Sequence, residues 1–140
     1  CVRDNHTGLV WEVKTNDGGI HDAIKTYRWG GATALLIGTF GALYNDWDTL
    51  VDGSNREVLC GFSDWRVPAR EQLMSIVNRD RTTPAIDDGY FPNTVSETYW
   101  SASAYPGNST TAWYVGFSVG NGNIGTRGNT GQVRLVRGGE

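Results

Sequence analysis

Residues 112–118 read AWYVGFS, and this short run decides the fold class. Trp113, Val115 and Phe117 occupy every second position, with a tyrosine, a glycine and a serine between and after them. Apolar residues at alternate positions are typical of a β-strand that buries one face. The run therefore predicts a strand, and its large aromatic side chains indicate that the strand contributes to the core.

Three more segments along the chain are also predicted to form short β-strands. They are residues 99–103 (YWSAS), residues 133–137 (VRLVR), and residues 3–14 (RDNHTGLVWEVK), in which a turn precedes the strand. Two stretches rich in turn-forming residues separate the C-terminal strands, namely residues 105–111 (YPGNSTT) and 120–131 (GNGNIGTRGNTG). Because glycine, asparagine and serine favour turns, we predict that both stretches are surface loops.

Two helices are predicted between the first strand and the C-terminal strands. The first spans residues 35–51, where apolar residues recur at helical spacing, and residues 52–55 (DGSN) are its expected stop. The recurring residues are Phe40, Leu43, Tyr44 and Trp47. The second helix spans residues 69–78, with Pro68 at its start. Helices followed by a strand-rich end indicate an α+β domain.

Length and charge limit the function classes. The chain has 140 residues, which suits one domain, so we expect a single domain over residues 1–140. Its net charge of -3 argues against a nucleic-acid partner, which would require a basic face. No apolar run is long enough for a membrane span. The start at Cys1, inside a segment that looks structured, indicates a piece of a longer protein.

The two cysteines, Cys1 and Cys60, allow two interpretations. They are either two buried thiols or one disulfide bond. A disulfide would close a loop of about 59 residues and would stabilise the fold by roughly 4 kcal/mol in the chain-entropy model. It would also hold down the N-terminal end and would imply an oxidising compartment. We predict the bond.

Four ordered motifs carry a family resemblance that covers nearly the whole chain. They are residues 1–12 (CVRDNHTGLVWE), 61–73 (GFSDWRVPAREQL), 84–94 (PAIDDGYFPNT), and the terminal series YWSAS, AWYVGFSVG and VRLVRGG. The chain resembles the C-terminal domain of the Legionella collagen-like adhesin family, and it is similar to the Fibrobacter major-paralogue domain. The resemblance implies a C-type lectin-like fold, in which two helices pack on a small, twisted, mainly antiparallel sheet with long C-terminal loops.

The same resemblance implies a function at the bacterial cell surface, outside the cell. It implies an adhesin domain that binds sulfated glycosaminoglycans and forms trimers. Sulfate recognition requires Lys and Arg, and the arginines of the C-terminal third are only Arg127, Arg134 and Arg137. The resemblance is therefore a better guide to the fold than to the ligand.

Neither catalysis nor a tightly bound metal is expected. His6 and His21 lie in separate predicted loops without the spacing of a zinc site. Calcium remains an open alternative, because Asp87 with Asp88, or Asn121 with Asn123, would supply oxygen ligands. Catalytic motifs are also missing, since the serines of the YWSAS segment have no histidine nearby and no nucleophile-elbow motif surrounds them. We expect a non-enzymatic domain without a required cofactor.

Binding is therefore the expected function, and the C-terminal loops are its expected place. Amide side chains next to aromatic rings suit the hydroxyls and ring faces of sugars. The predicted ligand-binding residues are Tyr105, Asn108, Asn121, Asn123, Arg127 and Asn129. The expected partner is a glycan or a surface protein. Two alternatives remain: a packing module of a pilus or filament, and a variable protein diversified by a retroelement, for which asparagine-rich C-terminal segments are typical.

Overall fold

The predicted α+β class is confirmed by the computed structural model. The structure describes residues 1–30, 44–78, 80–105, 107 and 110–138. Its elements, in chain order, are β1 (Val2–Arg3), β2 (Leu9–Trp11), α1 (Asp48–Arg56), a 3-10 turn (Leu59–Gly61), α2 (Arg70–Met74), β3 (Thr98–Ala104), β4 (Thr111–Gly116), β5 (Asn121–Thr126) and β6 (Val136–Gly138). This arrangement is consistent with the expected C-type lectin-like fold.

The strands form two small antiparallel sheets of three strands each. The first has the order β1-β2-β6, so the C-terminal strand lies directly beside the N-terminal one. Leu9 is opposite Gly138, and Trp11 is opposite Val136. The second has the order β3-β4-β5. The predicted strands at 99–103 and 112–118 are confirmed as β3 and β4, whereas only the end of the predicted strand at 133–137 is paired as β6.

The prediction of a surface loop over residues 120–131 is wrong for residues 121–126, which form strand β5. All six residues of β5 pair with β4, and Tyr114 is opposite Asn123. The sequence of β5 (NGNIGT) has low strand propensity, so the pairing with β4 supplies its stability. Glycine is required where the aromatic ring of the partner strand lies across the backbone: a Cβ on Gly125 would be 3.0 Å from Cε2 of Tyr114.

The first predicted helix differs from the observed one. Residues 35–43 of the predicted span lie outside the described part of the chain. Helix α1 then continues through residues 52–55, the predicted stop. Close packing explains this, because Gly53 lets the helix approach Ile20 and Asn55 bonds to the backbone of a neighbouring segment. Gly53 and Asn55, which were predicted to end the helix, instead lie within it and contact Ile20 and the backbone of Trp65.

Helix α2 is shorter than the predicted span of 69–78. It covers Arg70–Met74, and a turn follows it. Ala69 precedes the helix in an extended conformation, with φ −66° and ψ 161°. Alanine has no side chain that caps a helix, and the Oε1 atom of Gln72 instead accepts a hydrogen bond of 3.0 Å from the Ala69 backbone N–H.

The hydrophobic core forms two clusters. In the first, the rings of Trp29 and Trp47 meet edge to face with centroids 6.0 Å apart. The second contains Tyr99 and Phe117, whose rings also meet edge to face at 5.0 Å. Strands β3 and β4 contribute residues to both clusters, so the second sheet lies between them. Residues on β4 that are only half-buried therefore lie at the margins of the core.

The predicted disulfide between Cys1 and Cys60 is confirmed. Their Cα atoms are 6.4 Å apart. The bond ties the residue before β1 to the 3-10 turn after α1. Strand β1 is only two residues long, so the covalent link supplements a weak ladder.

Candidate ligand-binding site

A half-buried aromatic cluster of the second sheet is built around Trp113 on β4. Its indole is half-buried and is opposite Ile124 of β5 in the strand register. The guanidinium carbon of Arg70 lies 4.3 Å from the centroid of the indole ring. Tyr105 approaches the same indole edge to face, with centroids 5.6 Å apart. We call these three residues the Trp113 cluster.

Arg70 is held in place by the start of helix α2. Its backbone N–H donates a hydrogen bond of 3.0 Å to Oγ of Ser103 on β3. Its side-chain stem passes over β5, where a Cβ on Gly122 would be 4.0 Å from Cδ of Arg70. Within the described residues, Arg70 forms no ion pair with a carboxylate. Its charge is directed at the indole face and at solvent, so an acceptor group on a ligand would find donors here.

The predicted binding residues are divided between the two faces of the second sheet. Asn121 and Asn123 are exposed, and strand pairing places Asn123 on the same face as Tyr114. Side chains alternate along a strand, so this face is opposite to the one that carries Trp113. Tyr105 lies with Trp113. The structure therefore does not bring Tyr105 together with the two asparagines.

Arg127 lies in the turn after β5, within the predicted loop, but its side chain is buried against the core. It is 1% exposed. Its Nε donates a hydrogen bond of 2.8 Å to the Thr111 backbone oxygen, and its guanidinium lies 4.4 Å from the Trp29 ring centroid. A buried arginine with these contacts ties β4 to the core. Asn129 is exposed in the turn after β5, and Asn108 lies outside the described residues.

The acidic residues considered for calcium already have hydrogen-bond partners. Asp87 accepts a backbone hydrogen bond of 3.0 Å from Gly89, and Asp88 pairs with Arg81 at 2.7 Å. Among the described residues, no group of three or more His, Cys, Asp or Glu side chains is arranged to hold a metal ion. An open cleft of about 630 Å³ lies elsewhere, between Asp22 and Asp46. Its lining combines these two carboxylates with Lys25, and Asp46 is paired with Arg28.

A family model described as the Lcl C-terminal domain matches residues 1–137. The chain belongs to the Lcl C-terminal domain family. A comparison with curated protein sequences found no match. The resemblance recognised from the four motifs is thus confirmed. In the described residues of this Lcl C-terminal domain, no helix is long and apolar enough to cross a membrane.

Two features of the candidate site in this Lcl C-terminal domain were not predicted from the sequence. Trp113 was assigned to the core because of its alternation along β4, but it lies at the core margin. Arg70 gave no signal, since its contact with Trp113 joins residues 43 positions apart in the chain. A single sequence does not show which side chains of the helix meet the sheet.

Proposed function

We propose that this chain is an extracellular, adhesin-like recognition domain that binds glycans on a surface through the Trp113 cluster. Its membership of the Lcl C-terminal domain family supports a surface adhesin-like domain. The disulfide bond supports an oxidising compartment outside the cytoplasm. The domain acts by binding and not by catalysis, and it needs no bound cofactor.

The observation that carries this proposal is the half-buried indole of Trp113 between a cation and a second aromatic ring. Aromatic rings offer apolar faces to the C–H side of a sugar ring, and arginine donates to hydroxyl, carboxylate or sulfate oxygens. The guanidinium carbon of Arg70 lies 4.3 Å from the centroid of the Trp113 ring, and the centroid of the Tyr105 ring lies 5.6 Å from it. Both kinds of contact are therefore available within about the length of one sugar unit. Asn121 and Asn123 on the opposite face form a separate polar surface.

The test is a glycan-array screen of the oxidised domain, with calcium and with chelator, at two salt concentrations. Hits are then measured by calorimetry for Tyr105→Ala and Arg70→Ala. Losing a ring or cation contact worth about 1 kcal/mol weakens binding about fivefold. Salt-dependent loss at Arg70 would indicate an anionic sugar, and salt-independent loss at Tyr105 would indicate ring stacking.

Two matched controls separate the alternatives. Tyr90→Ala removes an exposed tyrosine, 65% accessible, that is not part of the cluster, and it should leave affinity unchanged. Asn123→Ala tests the opposite face of the sheet. If Asn123→Ala weakens binding and Arg70→Ala does not, the ligand binds on the face that carries Asn123, and the proposed site at the Trp113 cluster is wrong. Absence of any glycan binding, combined with large assemblies in light scattering, would favour a filament module.

A further inference from the structure

His21 lies between two carboxylates that come from different parts of the chain. Its Nδ1 is 2.5 Å from Oε2 of Glu12, and its Nε2 is 2.5 Å from Oε1 of Glu57. Glu12 follows strand β2 and its side chain is buried, whereas Glu57 is the C-cap of helix α1 and is largely exposed. The imidazole therefore bridges the first sheet to the end of the helix.

Only the protonated form of His21 completes this bridge. An ionised carboxylate only accepts hydrogen bonds, and a neutral imidazole carries a single N–H. Neutral His21 can donate to one of its two neighbours, and its other nitrogen then directs a lone pair at the second carboxylate. The imidazolium ion donates to both. Geometry alone thus makes the bridge dependent on the proton.

The surroundings keep Glu12 ionised. Nζ of Lys14 is 3.0 Å from its Oε1, and the Leu135 backbone N–H donates to the same oxygen at 3.0 Å. Burial acts to raise the pKa of Glu12, but Lys14, His21 and the Leu135 N–H together leave this pKa below its ordinary value. Among the described residues, the other charged or titratable groups of this network are Asp17 and Asp22 in the loop of His21, and Arg134 and Tyr27 next to Glu12.

The segment around His21 forms one wall of the open cleft described above. The Thr15 N–H donates to the His21 backbone oxygen at 2.9 Å, and the Ala23 N–H donates to the Thr15 oxygen at 3.0 Å. This folded segment carries Gly18 and Asp22, which line the cleft. The position of this wall therefore depends on where His21 is held.

We propose that His21 is a pH-sensitive latch: its protonated ring holds residues 15–23 against the end of helix α1, and loss of the proton releases this wall of the cleft. The hydrogen bond to Glu12 raises the pKa of His21, burial opposes the rise, and Glu57 adds to it. The pKa of the folded state is thus above the ordinary value of 6.5. The bridge is complete below pH 6.5 and is lost as pH rises through the raised pKa.

The test is hydrogen exchange of the full, oxidised chain across the neutral and mildly alkaline range, with rates corrected for intrinsic pH dependence. Amide protection of residues 15–23 should fall as pH rises, by up to about tenfold for each unit by which the bridge raises the pKa of His21. His6→Gln is the control, because His6 is an exposed histidine in the N-terminal turn. It should respond to pH as the unmodified chain does.

Glu57→Gln gives the decisive comparison, because an amide can donate to neutral imidazole. This variant should keep residues 15–23 protected at high pH, while His21→Gln should lack the pH response altogether. Circular dichroism checks that each variant is folded, and Glu57→Gln, at a largely exposed position, suffices if His21→Gln does not fold. Unchanged protection in the unmodified chain, or the same pH-dependent loss in Glu57→Gln, would overturn the proposal.

Discussion

Gly120, in the turn between β4 and β5, is expected to be the least replaceable glycine of the hairpin. Its φ is +80°, and a Cβ there would lie 2.5 Å from Cγ1 of Val77 and 3.3 Å from Cβ of Ala85. Gly120→Ala therefore meets two costs. The left-handed backbone costs about 1–2 kcal/mol, and forcing a methyl group into a packed site costs about 1–3 kcal/mol. Val77 is β-branched and stiff, so it does not rotate away freely.

Gly8→Ala is the matched control. Gly8 has a similar φ of +77°, but a Cβ there would meet nothing within 4 Å. It should lose only the backbone part, about 1–2 kcal/mol. The two variants differ in packing alone, so Gly120→Ala should be less stable by a further 1–3 kcal/mol or so.

The assay is urea unfolding of the oxidised domain, followed by tryptophan fluorescence, with the slope checked for each variant. A second change, Val77→Ala, makes room for the methyl group. Combined with Gly120→Ala, it should destabilise by less than the sum of the two single changes. Equal losses for Gly120→Ala and Gly8→Ala, with an additive double variant, would refute the close packing of the turn against Val77.

Three further predictions concern stability. Cys60→Ala, which removes the disulfide, should lower the free energy of unfolding by about 4 kcal/mol relative to the oxidised parent, as measured by urea titration, and should match the thiol-reduced parent. Asn55→Ala should cost about 2–4 kcal/mol, because its amide bonds both the N–H and the oxygen of Trp65; an unchanged melting temperature would contradict this. The hydrogen bonds from Arg28 lower the pKa of Asp46 below its ordinary value of 3.8, although burial acts in the opposite direction. The ion pair therefore stabilises the fold fully above pH 3.8, and this stabilisation is lost as pH falls through the lowered pKa of Asp46. Asp46→Asn should accordingly lose less stability than the parent between pH 6 and pH 3 in urea midpoints.

Some features were predictable because they depend on neighbours in sequence. The alternation around Trp113 predicted strand β4, and Pro68 marked the start of helix α2. The two cysteines predicted the disulfide, since few alternatives exist for two thiols in one small domain. The ordered motifs were sufficient for the family.

Other features were not predictable because they depend on distant partners. Residues 121–126 have the composition of a loop, and they form a strand because β4 offers them a complete ladder. Arginine is a residue type usually found at the protein surface, but Arg127 and Arg134 are both buried. The guanidinium of Arg127 lies over the ring of Trp29, and that of Arg134 lies over the ring of Phe91. Burial of a guanidinium is favourable only where backbone oxygens and ring faces converge on it.

The sequence by itself determined the fold class, the family, the disulfide and the positions of β3 and β4, because periodicity and turn chemistry act over a few residues. The tertiary structure decided which side chains share a face. It placed Tyr105 with Trp113 and Arg70, separated Asn123 from them, and set His21 between Glu12 and Glu57. These neighbours are up to 43 positions apart, and only the packing of helix and loop against the sheets brings them within contact distance.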